Sequence, residues 1–250
     1  VAGDVIELPW QREGAMLTVS WAGAGPVTAF VGREGPRITV DLTEFLAGSG
    51  SFRAGAKRYT ILGVEHILEG VDHLLFVLAL LFVVSTNWKL IQTITAFTVA
   101  HSITLGLATL GYINMPSAPV EAAIALSIVF LCVEIVHTRR GRKSLTFSYP
   151  WIVAFAFGLL HGLGFAGALA DIGLPPTEIP LALLFFNLGV EIGQLIFVFS
   201  VLAILALLRF LAGVTRDSNV FLLGERVVVY AVGVTASFWL LERSAAVFGA

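Results

Sequence analysis

One short segment of an otherwise apolar stretch carries five ionisable residues within nine positions: Glu65, His66, Glu69, Asp72 and His73. The chain then runs on through the apolar residues 74–84, which have the composition of a membrane span. A charged side chain near the centre of a bilayer costs roughly 2.5–3.5 kcal/mol, so such residues usually face a bundle interior or a water-filled cavity. This segment is therefore where the function is expected to reside.

The composition indicates an integral membrane protein. Hydrophobic residues fill 57% of the 250 positions and charged residues only 13%, whereas a soluble domain has about 25% charged residues. The net charge of −2 argues against a nucleic-acid partner. The single cysteine, Cys132, excludes an internal disulfide framework and a multi-cysteine metal site. Val1 at the first position is compatible with a removed signal peptide or with a shortened chain.

The chain is predicted to divide into a small β-rich extramembrane region, residues 1–58, and a transmembrane domain, residues 59–250. Alternating apolar and polar residues in 15–21 and 37–42 predict short strands. A region of fewer than about 60 residues buries a marginal core, so we expect it to lean on the membrane domain or on a partner.

The rest of the chain predicts an all-α polytopic membrane protein built as a six-transmembrane-helix bundle. About 20 predominantly apolar residues are needed to cross a bilayer, and six stretches are near this length: 61–84, 89–111, 118–138, 150–170, 180–208 and 225–243.

Loop charges predict that both termini lie outside a bacterial inner (plasma) membrane. The loop after the third span carries four Lys and Arg residues and the loop after the fifth carries three, while the loops after the second and fourth carry none. Positively charged loops stay on the cytoplasmic side. Three basic residues before the first span favour the opposite orientation: Arg53, Lys57 and Arg58.

Helical spacing groups the ionisable residues of the first span. Glu65, Glu69 and Asp72 are four and three residues apart and would share one helix face, and His66 and His73 would share an overlapping face with Glu69. Imidazole and carboxylate are ligands for first-row divalent metals. Neutral imidazole can also relay protons.

Three further spans carry ligand-type side chains at a similar predicted depth. With a rise of ~1.5 Å per residue, His73, His101, His161 and Glu191 fall close to the middle of their spans. Polar residues at helical spacing accompany them: Thr98 and Ser102 beside His101, and Asn187 and Gln194 beside Glu191. Such residues can also act only as hydrogen-bonding contacts between helices.

The ordered motifs of the chain resemble the HupE/UreJ family of membrane proteins. The run His-Ile-Leu-Glu-Gly-Val-Asp-His at 66–73 is similar to the first-helix signature His-Pro-x-x-Gly-x-Asp-His, and distantly similar to the His-x4-Asp-His motif of nickel/cobalt permeases. Ile67 stands in place of the family's proline, and five residues rather than four separate His66 from Asp72. Further matching stretches follow in order: 97–105, 120–128, 157–166 and 186–195.

The resemblance implies a secondary permease for a divalent transition metal, with nickel or cobalt preferred and zinc compatible. The metal ligands would come from six residues: His66, Asp72, His73, His101, His161 and Glu191. A second set would support the ligands or line the pathway: Glu65, Glu69, Thr98, Ser102, Asn187 and Gln194. The lipid bilayer and the metal ion are the expected partners, and a homo-oligomer or a membrane complex is compatible with the sequence.

Two other functions stay open at this point. Three histidines and an aspartate could hold zinc with an open water position in an intramembrane hydrolase, with Ser102 beside the site. Alternatively, the chain could be a non-transporting subunit of a larger membrane complex, with the external β-rich region used for assembly.

Overall fold

Helices form most of the described chain. The computed structural model describes residues 5–9, 14–19, 27–32, 37–41, 52–84, 86–164, 179–213 and 219–247. Within these ranges lie eight helices: α1 (Phe52–Glu69), α2 (Val71–Val83), α3 (Asn87–Thr109), α4 (Ser117–Arg139), α5 (Leu145–Ser148), α6 (Pro150–Gly164), α7 (Ile179–Ala212) and α8 (Asn219–Val247).

Four of these helices, α3, α4, α7 and α8, are long and apolar enough to cross a membrane. Large apolar side chains on the outside of α7 and α8, such as Phe199, Phe210 and Leu241, are exposed, as expected for helices that face hydrocarbon. The chain is therefore a multi-pass helical membrane protein. The pair α1 and α2 makes a fifth span if it is counted as one. The described part of α6 is only 15 residues long, so the six-span count stays a prediction.

The prediction that the first span is a continuous helix is wrong. α1 and α2 meet at Gly70 with a bend of 75°, and Gly70 has the extended backbone angles φ −74° and ψ 90°. A Cβ atom at this position would lie 2.8 Å from Nδ1 of His73 and 2.9 Å from the carbonyl oxygen of His66. Glycine is thus the residue that lets the backbone pass this close to both histidines.

Two pairs of helices approach each other backbone to backbone through glycine. Gly63 of α1 lies against the Phe186 carbonyl of α7, and Gly189 of α7 lies against the Thr60 carbonyl of α1. In the second pair, Gly158 and Gly162 of α6 lie against the carbonyls of Phe97 and His101 of α3, respectively. Small residues permit such close packing between membrane helices. These crossings bring the histidine-bearing parts of α1, α3 and α6 towards one centre.

The last helix, α8, packs along α4 and is tied to the bundle near both of its ends. Arg139 of α4 forms an ion pair with Glu225, and Arg243 contacts Glu121 near the other end. Between these pairs, Val229, Val232 and Ala236 join the main apolar core.

A partly buried carboxylate contact orders the connection between α4 and α6. Oε2 of Glu134 accepts hydrogen bonds from Ser144 Oγ at 2.7 Å and from the Thr146 amide at 2.9 Å. Ser144 in turn caps the short helix α5 by accepting from the Phe147 amide. Glu134 therefore stabilises the loop rather than the candidate site.

Four short strands precede the helices: β1 (Val5–Pro9), β2 (Gly14–Val19), β3 (Val27–Gly32) and β4 (Arg37–Asp41). They pair antiparallel, β1 with β4 and β2 with β3, with Ile6 opposite Val40 and Met16 opposite Phe30. Of the chain before Phe52, only these strand backbones are described. The β-rich region as a separate unit, and its boundary at residue 58, stay predictions.

Candidate metal centre

Three histidines from three helices meet around one point. His66 ends α1, His73 lies in the first turn of α2, and His101 lies in α3. One imidazole nitrogen from each is within 4.8 Å of the other two. In a tetrahedral site, nitrogen ligands about 2.1 Å from one ion lie about 3.4 Å apart. Side-chain movements of about 1 Å would therefore let the three imidazoles bind one metal ion.

Asp72 orients the imidazole of His73. Oδ1 of Asp72 lies 3.0 Å from Nδ1 of His73 and also accepts the His73 backbone N–H at 2.9 Å. An ionised carboxylate can only accept hydrogen bonds, so Nδ1 carries a proton, and in the neutral form of the ring the lone pair is on Nε2. Nε2 is buried and has no hydrogen-bond partner among the described residues.

Asn187 orients the imidazole of His101. The side-chain amide of Asn187 donates from Nδ2 to the Leu183 carbonyl at 2.8 Å, which leaves Oδ1 to face Nδ1 of His101 at 3.1 Å. Nδ1 of His101 is therefore the protonated nitrogen. Its Nε2 is buried, and no group in the described ranges forms a hydrogen bond with it.

His161 of α6 is the fourth histidine of the cluster, with its ring centre 5.0 Å from that of His73. The hydroxyl of Ser127 donates its only hydrogen to the Ile124 carbonyl at 2.6 Å, so it accepts from Nε2 of His161 at 3.2 Å. The lone pair of His161 is then on Nδ1. That atom is buried and lacks a hydrogen-bond partner within the part of the chain that is described.

Three imidazoles share one arrangement: those of His73, His101 and His161. Each has one nitrogen hydrogen-bonded to an outer residue and a second, buried nitrogen that has no hydrogen-bond partner among the described residues. A buried polar atom without a partner costs about 1–3 kcal/mol. Metal-ligating histidines show the same pattern, because the outer hydrogen bond fixes the ring and the tautomer.

Aromatic side chains border the histidines. Phe97 lies 5.1 Å from the ring of His161, Phe76 lies 5.0 Å from the same ring, and Phe186 lies 5.4 Å from His66. Phe76, Phe97 and Phe186 are fully buried. The apolar border limits the water that can reach the imidazoles.

Other polar residues predicted for the site connect α3 to α7. Thr95 donates to Oε1 of Glu191 at 2.6 Å, and Thr98 lies 3.2 Å from Oε1 of Gln194. The hydroxyl of Ser102 donates to the Thr98 carbonyl of its own helix at 2.7 Å. Glu191 therefore accepts a hydrogen bond from a threonine of α3, and its role as a metal ligand stays a prediction.

The bend at Gly70 separates the carboxylates that helical spacing placed on one face. Glu65 and Glu69 are exposed, whereas Asp72 is half-buried and contacts His73. The prediction of a single face shared by Glu65, Glu69 and Asp72 is therefore wrong, because the helix ends between the second and third of them.

One residue of this neighbourhood, Arg243 of α8, was missed by sequence reasoning. Nη1 of Arg243 lies 3.7 Å from Oδ2 of Asp72. An arginine within an apolar helix could have been singled out from the sequence. Its contact with Asp72 could not, because the two residues are far apart along the chain.

Comparison with protein families gives one match, to the family described as HupE / UreJ protein, over residues 44–243. Neither the curated proteins nor the solved structures contain a match to the chain.

Proposed function

This chain belongs to the HupE/UreJ family, and on that premise we propose that it is a secondary permease for a divalent transition metal, with nickel or cobalt as the preferred cargo. The observation that carries the proposal is the cluster of His66, His73 and His101, whose ligand nitrogens lie within 4.8 Å of one another. Imidazole suits nickel, copper, zinc and iron as a ligand. The family is associated with nickel and cobalt transport, which favours these metals.

The proposed ligands are the imidazoles of His66, His73, His101 and His161. Asp72, Asn187 and Ser127 would keep the last three in the tautomer that presents a lone pair. This pre-arrangement lowers the cost of ordering the ligands when the ion arrives.

Transport requires that the ion can leave as well as bind. Four neutral imidazoles add no negative charge, and the nearest described carboxylate, that of Asp72, is engaged with His73 and Arg243. We expect such a site to bind a divalent cation more weakly than a site rich in carboxylates. Protons compete with metals for imidazole nitrogens, so a proton gradient is the driving force that this donor set can use.

We place the protein in the bacterial inner membrane with both termini outside. The support is the concentration of arginine and lysine in residues 139–143, between α4 and α5. In this orientation the end of α8 that carries Arg243 and the loop between α3 and α4 face the outside.

An intramembrane hydrolase receives less support from the geometry. Ser102, which that hypothesis places beside the zinc, donates its hydroxyl hydrogen to a backbone carbonyl of its own helix. Asp72, the aspartate that would help to hold the zinc, faces an imidazole and a guanidinium.

Metal binding and flux in the same preparations test the proposal. The purified protein would be stripped of metal, dialysed against Ni²⁺ or Co²⁺ and analysed by mass spectrometry, and then reconstituted in liposomes for radiolabelled uptake. We expect about one ion per chain and uptake that His73→Ala and His101→Ala both abolish.

His137 provides the matched control, because it is the one histidine outside the cluster and lies near the end of α4. His137→Ala should bind and transport like the wild type. Stoichiometric binding without uptake in wild-type liposomes would contradict the permease and leave a fixed metal site. Uptake that persists in His73→Ala and His101→Ala would contradict the histidine centre.

A further inference from the structure

Arg243 places a positive charge directly behind the carboxylate that orients His73. Its Nη1 atom lies 3.7 Å from Oδ2 of Asp72, while Oδ1 of Asp72 faces His73. Both side chains are sheltered, with 21% of Arg243 and 19% of Asp72 exposed. The two carboxylate oxygens of Asp72 therefore face different residues: Oδ1 faces His73 and Oδ2 faces Arg243.

Three further contacts hold Arg243 in this place. Nη1 donates to the backbone carbonyl of Glu121 at 3.2 Å, and Nε lies 3.6 Å from Oε2 of the same residue. The guanidinium carbon lies 5.3 Å from the ring centre of Trp239, within the range of a cation–π contact. A planar guanidinium with several donors can satisfy these partners together, which an ammonium group cannot do.

The arrangement affects which atoms are available to a metal. Asp72 precedes a proposed ligand in the chain and would itself be a natural ligand for a divalent cation. Arg243 lies at ion-pair distance from the oxygen of Asp72 that His73 does not use, so its positive charge offsets that of the carboxylate, which accepts from His73 through the other oxygen. The donor set that remains next to His73 consists of imidazoles.

We propose that Arg243 is a positioning residue that keeps Asp72 out of the metal's coordination sphere and so sets the selectivity of the centre for metals that prefer nitrogen ligands. The inference rests on the proposed function, because it concerns the same histidines. It adds the C-terminal helix α8 to the residues that determine which ion is accepted.

Ligand preferences of the metals predict how the loss of Arg243 changes selectivity. Imidazole suits nickel, copper and zinc, whereas carboxylate and water suit manganese and magnesium. Without Arg243, Asp72 is free to turn from His73 towards the ion. The centre then loses the partner that fixes His73 and gains an oxygen ligand, so Co²⁺ affinity falls and Mn²⁺ is accepted more readily relative to Co²⁺.

Competition between Co²⁺ and Mn²⁺ tests this in wild-type protein, Arg243→Gln and Arg243→Lys. Loss of an outer partner typically lowers metal affinity by ~10–100-fold, and we expect a loss of this size for Co²⁺ in Arg243→Gln. The ratio of bound Mn²⁺ to bound Co²⁺ should rise by at least several-fold. Arg243→Lys keeps a positive charge but loses the other contacts of the guanidinium, so it should recover the wild-type ratio only in part.

Arg139 provides the matched control, since it also forms an ion pair with a carboxylate, Glu225, at the other end of the α4–α8 pair. Arg139→Gln should leave the metal ratio unchanged. A purely structural role of Arg243 would lower the occupancy of both metals alike and would leave their ratio unchanged.

A second measurement uses metal-free protein. Thermal unfolding of Arg243→Gln, Asp72→Asn and the double variant should give shifts that are smaller in combination than their sum, because both substitutions remove one contact. Additive shifts, or a wild-type Mn²⁺-to-Co²⁺ ratio in Arg243→Gln, would overturn the inference while leaving the permease intact. Failure of the wild type to bind any metal would instead overturn the proposed function, and the inference with it.

Discussion

Replacement of Asn187 by leucine isolates the hydrogen bond that prepares His101 for metal binding. Asn187 Oδ1 accepts from Nδ1 of His101, and both residues are buried. Leucine branches at Cγ to two heavy atoms as asparagine does but has no acceptor, so the substitution keeps the site filled and removes the hydrogen bond. The imidazole must then keep an unpaired N–H, rotate, or move its proton to Nε2, where the proton blocks the lone pair.

Asn187→Leu should lower both the free energy of unfolding and the affinity for the metal. An unpaired buried donor costs about 1–3 kcal/mol of unfolding free energy. Loss of an outer partner of a ligating histidine lowers metal affinity by ~10–100-fold, which corresponds to about 1.4–2.8 kcal/mol. Asn187→Asp keeps an oxygen acceptor and should retain most of the affinity.

Gln194→Leu is the control, because Gln194 is buried on the same helix and lies beside the hydroxyl of Thr98 rather than an imidazole. Unfolding in mixed detergent micelles and titration with Co²⁺ would be measured for both variants. We expect both to lose stability and only Asn187→Leu to lose affinity. Equal affinities in the two variants, or full affinity in Asn187→Leu, would refute the reasoning that Asn187 fixes the tautomer of His101.

Three further predictions concern other parts of the centre. Ser127→Ala removes the acceptor of Nε2 in His161, and calorimetry should show Co²⁺ affinity reduced by about tenfold if His161 is a ligand; an unchanged affinity would exclude His161. Gly70→Ala adds a methyl group 2.8 Å from Nδ1 of His73, so metal stoichiometry should fall well below one, and full stoichiometry would contradict the need for glycine at the bend. Glu69→Gln alters an exposed carboxylate, so equilibrium dialysis should give wild-type affinity, and a tenfold loss would show that Glu69 supports the metal ligands.

The histidines of the centre could be predicted from sequence because their chemistry is conspicuous in apolar spans. Ionisable side chains are costly in a bilayer and usually mark a functional site. Four histidines of the predicted spans meet this description: His66, His73, His101 and His161. The structure places all four close together, with the His66 and His73 rings 4.8 Å apart. Gly158 and Gly162, which are four residues apart in α6, make the close crossing with α3 that brings His161 to this cluster.

The contacts that surround the histidines were less accessible to sequence reasoning. Spacing along a straight helix cannot reveal the bend at Gly70, because a single glycine is compatible with a continuous helix in the apolar setting. The bend changes the environment of Glu65 and Glu69, which are exposed, and of Asp72, which turns towards Arg243. Which side chains of two distant helices come into contact depends on how the helices cross. The spacing of residues within one helix does not predict those contacts.

X-ray absorption spectroscopy of the Co²⁺-loaded protein reports the donor atoms around the ion and therefore shows whether the histidines bind it. We expect at least three imidazole ligands near about 2.1 Å, with fewer in His101→Ala and no change in His137→Ala. A shell of oxygen ligands without the multiple scattering of imidazole would contradict the assignment of the metal to His66, His73 and His101.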